Sequence, residues 1–283
     1  MSIKATIENY ELIKRLGSGA FAQVYLMRDK SDHNLYAIKK VSKNLLKREG
    51  KIEQAIRERE LLSSLNHKGI VKLYKAFHDP SYLYLVMEYC PKESLSQLLN
   101  RYGKTFPLSI VKYYTAEIVE ILNVLRKSNI IHRDIKPENI LITQDNHLKL
   151  VDFNCAKKLS SRKTMRNTFV GTLHYVAPEV IKNSREIGHE VDLWSLGCIV
   201  YQMVVGSYPF TGLCQEGVYE NIVNGRFSFD SDVPVEAKSL IGSLLVIEPE
   251  NRLGSNSLDD LKAHHFFDGI EFENLWDKHI PVY

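Results

Sequence analysis

The sequence predicts an α+β chain in two parts: a small five-stranded β part with one main helix, and a larger, mostly helical part. Three features predict it. Five short apolar-rich segments between residues 10 and 88, bounded by glycine and turn residues, read as strands. One segment among them, IEQAIRERELLSSL (52–65), repeats instead with the period of an amphipathic helix. Downstream of a junction expected near 88–93 the periodicity turns helical, so the parts divide as 1–88 and 89–283.

Bulk properties narrow the function classes. A chain of 283 residues suits one large domain or two lobes. Hydrophobic content of 44% and charged content of 25% are ordinary for a globular protein with a sizeable core. A net charge of +3 without a long basic run argues against nucleic acid as the main partner. The longest apolar stretch, LWSLGCIVYQMVVG (193–206), is too short for a membrane span and fits a buried helix. The N-terminus, MSIKATIENY, lacks the apolar core of a signal peptide. Cys90, Cys155, Cys198 and Cys214 show no metal-ligand spacing and lie in or beside apolar runs. Buried free thiols in a reducing, cytoplasmic setting are expected.

Taken in order, YELIKRL, QVYLMR and LYAIKKV read as three strands, with GSGAFA between the first two and the turn DKSDHN before the third. Gly17 and Gly19 admit either a tight turn or close approach of backbone to a phosphate; the fragment alone does not choose. Lys39 on the third strand is, by itself, an ordinary surface lysine. On the helix over 52–65, Ala55, Glu58, Leu62 and Leu65 share one face, which puts a carboxylate in an apolar stripe. An unpaired charge there is costly, so Glu58 should have a cationic partner. GIVKLYKAF and YLYLVMEY supply two further strands around a DPS turn.

In the second part, Pro107 starts a long amphipathic helix over 108–127. Next comes IIHRDIKPENILITQDNHLKLVDFN (130–154), in which ILI and LKLV read as two strands of a hairpin. That hairpin would bring Asp134, Asn139 and Asp152 to one end, where two acids and an amide can orient a hydroxyl and hold a hard cation. Residues 155–176 have no periodicity and carry Lys157, Lys158, Arg162, Lys163 and Arg166 without one acid. They fit a solvated loop, or one that an added anion can order. Helices follow near 192–205, 215–224, 234–246 and 257–264. Asp192, entering the first of these, suits an N-cap.

The ordered set GSGAFAQV, YAIK, Glu58, HRDIKPEN, DFN and APE (177–179) resembles the eukaryotic protein kinases across essentially the whole chain. The resemblance implies a bilobal protein kinase fold with ATP in the cleft between lobes, and Mg²⁺ as its metal. It implies that Leu16, Gly17, Ser18, Gly19, Ala20, Phe21, Ala22, Gln23 and Val24 cover the nucleotide, that Val24, Ala37 and Leu141 sandwich adenine, and that the backbone of Glu88 and Cys90 bonds it, behind Met87 as gatekeeper. Lys39 would bridge the α- and β-phosphates and pair with Glu58. Asp134 would orient the substrate hydroxyl and accept its proton, with Lys136 at the γ-phosphate and Thr172 beside them. Asn139 and Asp152 would hold Mg²⁺. Glu179 and Arg252 would form a buried ion pair, and Asp192 would tie down the HRD backbone.

Lys136, two beyond Asp134, follows the Ser/Thr pattern. EYCP, YYTAEIV (113–119), TFVGT (168–172), SLGCIVYQMVVGSYPF and LKAHHFFDGIEFENLW resemble the AGC group, and within it the phosphoinositide-dependent protein kinase family. That family phosphorylates a hydroxyl residue followed by an aromatic residue and then x-Gly-Thr, a pattern this chain carries around its own Thr168. The resemblance thus implies protein substrates, other kinases among them, and Thr168 as a phosphosite. A monomer is expected, with no nucleic-acid partner and no direct membrane- or lipid-binding domain.

Several positions depart from the pattern. Asn154 stands where glycine ends DFG; a less mobile segment and a disfavoured Phe-out arrangement are expected. Ala22 replaces a third loop glycine. Ser94 stands where relatives often carry an acid for the ribose, with Glu93 one residue short. In the family's tail-docking pocket, Leu46, Ala55 and Leu83 suit either an apolar subsite or ordinary core. Arg59 keeps one phosphate contact, while Glu11, Ala76 and His78 do not suit a phosphate. Two alternatives stay open: a basophilic kinase, with Glu138 and Glu220 reading a substrate arginine, and a pseudokinase scaffold, motivated by Asn154.

Overall fold

A computed structural model describes residues 5–159, 173–182, 184, 187–229, 232–278 and 280. The chain divides into two compact units, Met1–Pro91 and Lys92–Tyr283.

The first unit is built on an antiparallel five-stranded sheet: β1 (Tyr10–Ser18), β2 (Ala22–Asp29), β3 (Leu35–Ser42), β4 (Leu73–His78) and β5 (Tyr82–Glu88). Their spatial order is β1-β2-β3-β5-β4, which leaves β1 and β4 at the edges and puts β2, β3 and β5, which carry most of the sheet's buried residues, inside. The register sets Lys39 of β3 between Val24 of β2 and Leu85 of β5. The fourth strand starts at Leu73, later than the apolar run from Gly69 suggests. A short helix that periodicity did not mark, α1 (Lys43–Arg48), precedes α2 (Ile52–Ser64). At six residues it is too short to display a period, and the Ser42 hydroxyl accepting from Leu45 N starts it. The four residues expected on one face of α2 are all buried: Ala55, Glu58 and Leu62 within the helix and Leu65 just past its end. Leu46 and Ala55 belong to a buried cluster with Val41, against which Leu83, Phe21 and Ala22 pack.

The second unit opens with α3 (Leu95–Arg101) and α4 (Leu108–Lys127); α4 follows Pro107 over the expected span. Strands β6 (Ile130–Ile131), β7 (Ile140–Ile142), β8 (Leu148–Leu150) and β9 (Lys157–Lys158) form two small sheets, β6-β9 and β7-β8. Helices α5 (Pro178–Ile181), α6 (Glu190–Val205), α7 (Gln215–Val223), α8 (Val235–Leu244) and α9 (Leu258–Lys262) follow. The body of α6 is buried all round, as expected of a core helix with no polar face. Its Gly197 lies where a Cβ would come 2.8 Å from Leu245, so α6 can pack this closely only without a side chain there. Among the described residues, no helix is long and apolar enough to cross a membrane.

None of the four cysteines forms a disulfide, and two are buried as expected, Cys90 and Cys198. Cys155 is half-buried and Cys214 exposed. Cys214 departs from the expectation because it caps the start of α7 instead of lying in an apolar segment.

Candidate active site

The β7–β8 hairpin is the frame of the site. Ile140 faces Leu150, Leu141 faces Lys149 and Ile142 faces Leu148. Asn146 takes the left-handed conformation the turn needs (φ 68°), which asparagine tolerates better than most residues. At the open end Val151 N donates to Asn139 O at 2.9 Å, which sets Asn139 beside the segment that leads into Asp152. Asn139 Nδ2 then donates to both the carbonyl and Oδ2 of Asp134, each at 2.9 Å. Lys136 Nζ lies 2.9 Å from the same Oδ2. The structure therefore brings Asp134, Lys136, Asn139 and the start of the Asp152 turn together.

Two residues here hold backbone conformations that side chains ordinarily avoid: Arg133 (φ 67°) and Asp152 (φ 61°). Asp192 holds the first, its Oδ2 accepting from His132 N and its Oδ1 from Arg133 N, both at 2.8 Å. It does so as the third residue of α6, whose N-cap is His189. The tie to the HRD backbone is thus the reading the structure bears out, and the N-cap is not. Arg133 Nε donates to Cys155 O at 2.7 Å and fastens the far side of the turn. Phe153 is fully buried, edge-on to His132 with centroids 4.9 Å apart. His132 is itself fully buried, and that burial depresses its pKa, so the ring is held neutral. Burial also pushes the Cys155 thiol up to about 11, leaving it protonated beside the acids.

Asn154 lies in the 3₁₀ turn Phe153–Cys155 and is not among the residues with left-handed φ. Its Nδ2 donates to Asp152 Oδ1 at 2.6 Å. Nothing in the sequence pattern announced that bond, because a two-residue reach back to a carboxylate depends on the turn geometry.

In the first unit Glu58 has the partner its burial demanded. Lys39 Nζ meets its Oε1 at 2.5 Å, with side chains 8% and 2% exposed. The loop between β1 and β2 is closed by Gly19 N donating to Ala22 O at 2.8 Å. Neither Gly17 nor Gly19 adopts a left-handed φ, and a Cβ on either would meet nothing within 4 Å. The chain's own conformation does not require glycine there, which weakens the tight-turn reading and leaves open space above the backbone. Leu16 and Ser18 are exposed at the end of β1, Ala20 on this loop and Gln23 on β2, and Phe21, Ala22, Val24 and Ala37 are half-buried. Glu88 closes β5 with its N–H donated to Lys72 O at 2.9 Å, and Cys90 follows, buried. Leu141 is half-buried on β7.

Some expected roles meet prior commitments. Ser94 caps α3, its hydroxyl accepting from Gln97 N, and Glu93 bonds Arg101 Nε at 2.8 Å. Glu138 accepts from Ser96, and Glu220 pairs with Arg226 at 3.3 Å. Glu11 pairs with Arg28, and Arg59 with Glu60. Glu179 meets Arg252 through two parallel bonds of 2.7 Å. Thr168 and Thr172 lie outside the described residues.

One supporting residue carries no motif. Glu117, fully buried on α4, accepts from Leu148 N at 2.7 Å and pairs with His147 Nδ1 at 2.5 Å, so it braces the hairpin from behind. Burial raises its pKa against the opposing pull of His147. Its signal was legible in principle: like Glu58, it is an acid on the buried face of a helix.

A sheet unit carrying a buried Lys–Glu pair, followed by a helical unit carrying Asp134, Lys136, Asn139 and a strained Asp152, defines the protein kinase class. The chain belongs to the protein kinase domain family, whose match spans residues 10–267. It is 38% identical over 279 residues to 3-phosphoinositide-dependent protein kinase 1 of Rattus norvegicus, covering 97% of this chain and 50% of that protein. It is 37% identical to the putative 3-phosphoinositide-dependent protein kinase 2 of Homo sapiens, covering 97% and 70%. Rho-associated protein kinase 1 of Homo sapiens is 38% identical over 290 residues, covering 99% of this chain and 21% of that protein. The chain thus spans about half the length of the first of these relatives and a smaller share of the last.

Proposed function

We propose that the chain is an ATP-dependent serine/threonine protein kinase that transfers the γ-phosphoryl group of Mg²⁺·ATP to protein hydroxyls, and that it activates AGC-type kinases by phosphorylating their activation loops. The observation that carries the reading is the Asp134 carboxylate, held between Asn139 Nδ2 and Lys136 Nζ. A carboxylate fixed in this way can align an acceptor hydroxyl and take its proton as the oxygen attacks phosphorus. Lys136 offsets charge on the transferring group, and Lys39, oriented by Glu58, is assigned the α- and β-phosphates. The segment Leu16–Val24, from the end of β1 into β2, is assigned to cover those phosphates, where the side-chain-free positions at Gly17 and Gly19 allow close backbone approach. Val24, Ala37 and Leu141 are assigned the faces of adenine. Because the N–H of Glu88 is engaged by Lys72, its carbonyl is the group assigned to the base, together with the backbone of Cys90.

The donor chemistry fits Mg²⁺. With the nitrogen of Asn139 turned to Asp134, its oxygen and the Asp152 carboxylate are hard ligands. Among the described residues no cluster of three or more His, Cys, Asp or Glu could hold an ion by itself. That suits magnesium, which usually relies on one or two carboxylates plus substrate phosphates. When bound, the ion neutralises charge on the phosphates.

The AGC-activating substrate class is supported by the likeness to the 3-phosphoinositide-dependent protein kinases and by the TFVGT segment around Thr168, which is assigned as a phosphosite. Glu138 and Glu220, the acids a basophilic kinase would need, hold only exposed partners, Ser96 and Arg226, so the peptide comparison decides between the two readings. Thiols outside any disulfide suit the cytoplasmic setting assigned to it. The test is phosphoryl transfer from Mg²⁺·ATP to TFxGT-type and RRxS-type peptides. Faster transfer to the first is expected, and Asp134→Asn should lose about 10²–10⁴-fold. Transfer no faster than in Asp134→Asn would establish a scaffold instead, and preference for RRxS a basophilic kinase.

A further inference from the structure

Asn154 is the position at which this chain departs furthest from the DFG pattern, and its side chain is committed to the acid two residues before it. Nδ2 lies 2.6 Å from Asp152 Oδ1. The nitrogen must be the atom facing the carboxylate, since an amide oxygen at that distance would oppose a second acceptor. The bond spans a turn secured at several other points. Ala156 N donates to Phe153 O at 3.0 Å, Arg133 Nε donates to Cys155 O at 2.7 Å, and Phe153 is buried against His132. Asp152 itself takes φ 61°, a conformation that needs support from its surroundings.

We infer that Asn154 is a positioning residue for the metal-binding carboxylate: its amide fixes the Asp152 side chain before Mg²⁺·nucleotide arrives. This inference rests on the kinase reading given above. Two opposing effects decide its sign. A donor on Oδ1 occupies one of roughly four lone-pair positions on the carboxylate, which slightly weakens it as a ligand. The same donor removes rotational freedom that binding would otherwise have to remove, and an asparagine here also restricts backbone that glycine would leave free. The ordering effect is assigned as the larger of the two, and the direction of the Mg²⁺ shift tests that sign. Asn154 thus does by hydrogen bonding what the pattern's glycine cannot, and it holds the acid in the orientation that accompanies a buried Phe153.

The test compares the unaltered chain with Asn154→Leu, which keeps the size without a donor, and Asn154→Ser, which keeps a short donor. The readout is thermal stabilisation by ADP as MgCl₂ is titrated, alongside KM and kcat at each Mg²⁺ concentration. Asn154→Leu should raise the half-saturating Mg²⁺ roughly fivefold: the bond exists with and without the ion, so what binding must newly supply is the ordering of one short side chain. Asn154→Ser should stay within about threefold of the unaltered chain, since hydroxyls make the same local bond more weakly. Melting temperatures without metal or nucleotide should fall by no more than about 4 °C in Asn154→Leu, the share of one lost hydrogen bond, so each Mg²⁺ titration is read against its own metal-free baseline. Equal Mg²⁺ requirements in Asn154→Leu and the unaltered chain would overturn the inference while leaving the kinase reading intact. Absence of any Mg²⁺·ADP stabilisation in the unaltered chain would overturn both.

Discussion

Among the described residues each unit carries a buried pair of a glutamate with a permanently charged base, Lys39–Glu58 and Arg252–Glu179, and the two are built differently. In the second unit Arg252 gives all five N–H bonds: two to Glu179, the others to the carbonyls of Val246, Glu190 and Ile247. Its guanidinium also lies 5.0 Å from the ring centre of Trp194. In the first unit Lys39 brings a compact ammonium on a flexible stem to Glu58 Oε1. A planar fork with every donor committed has nothing to offer a ligand, and it joins distant pieces of backbone. An ammonium with three rotatable donors can share itself with an incoming phosphate. Burial alone therefore does not distinguish the two pairs; the geometry of the donors does.

The sharpest way to break that contrast is to remove each cation. Arg252→Ala should lower the unfolding free energy by about 3–5 kcal/mol, because Glu179 and three carbonyls lose their partner in the interior. Urea unfolding measures it, and a change below about 1 kcal/mol would mean the saturated fork contributes little. Lys39→Met should cost about 10²–10³-fold in phosphoryl transfer, the range for loss of one charge-stabilising donor. Its loss of stability should be smaller than that of Arg252→Ala, because the methionine keeps the apolar stem packed. Peptide phosphorylation and urea midpoints on the same preparations decide the point; stability losses of equal size would erase the distinction.

The smallest effect concerns pH, and it belongs to the second unit's histidines. Burial depresses the pKa of His132, and of His189 and His264 likewise. In the unfolded chain each imidazole takes up a proton near pH 6.5 that the folded state resists. Their contribution is therefore complete above that value and is lost as pH falls below it. The urea midpoint should drop between about pH 7.5 and about pH 5.5, and His132→Phe should flatten part of the slope. A midpoint independent of pH across that window would contradict it.

The two units also differ in how much of each is legible in the amino-acid order. The strands of the first unit, the buried face of α2 and, in the second, the span of α4 follow from local periodicity, which neighbouring residues alone impose. The likeness to protein kinases is likewise legible, since its motifs are contiguous. Helices α1 and α3 are not, being six and seven residues long and set by their caps. Periodicity at Glu58 announces only that it needs a cation; Lys39, 19 positions away, is named by the likeness to protein kinases and not by the helix.

By itself, then, the sequence determined the order of elements, the demand for a partner at Glu58 and the chemistry available at Asp134, Asn139 and Asp152. Tertiary structure alone decided the saturation of Arg252 by the carbonyls of Val246, Glu190 and Ile247, the commitment of Ser94 to a helix cap, and the bracing of the hairpin by Glu117. It also decided that Asn154 turns back on Asp152. The physical reason is range: periodicity and capping act within a few residues, whereas burial of a polar group is settled by whichever segment of the folded chain arrives beside it.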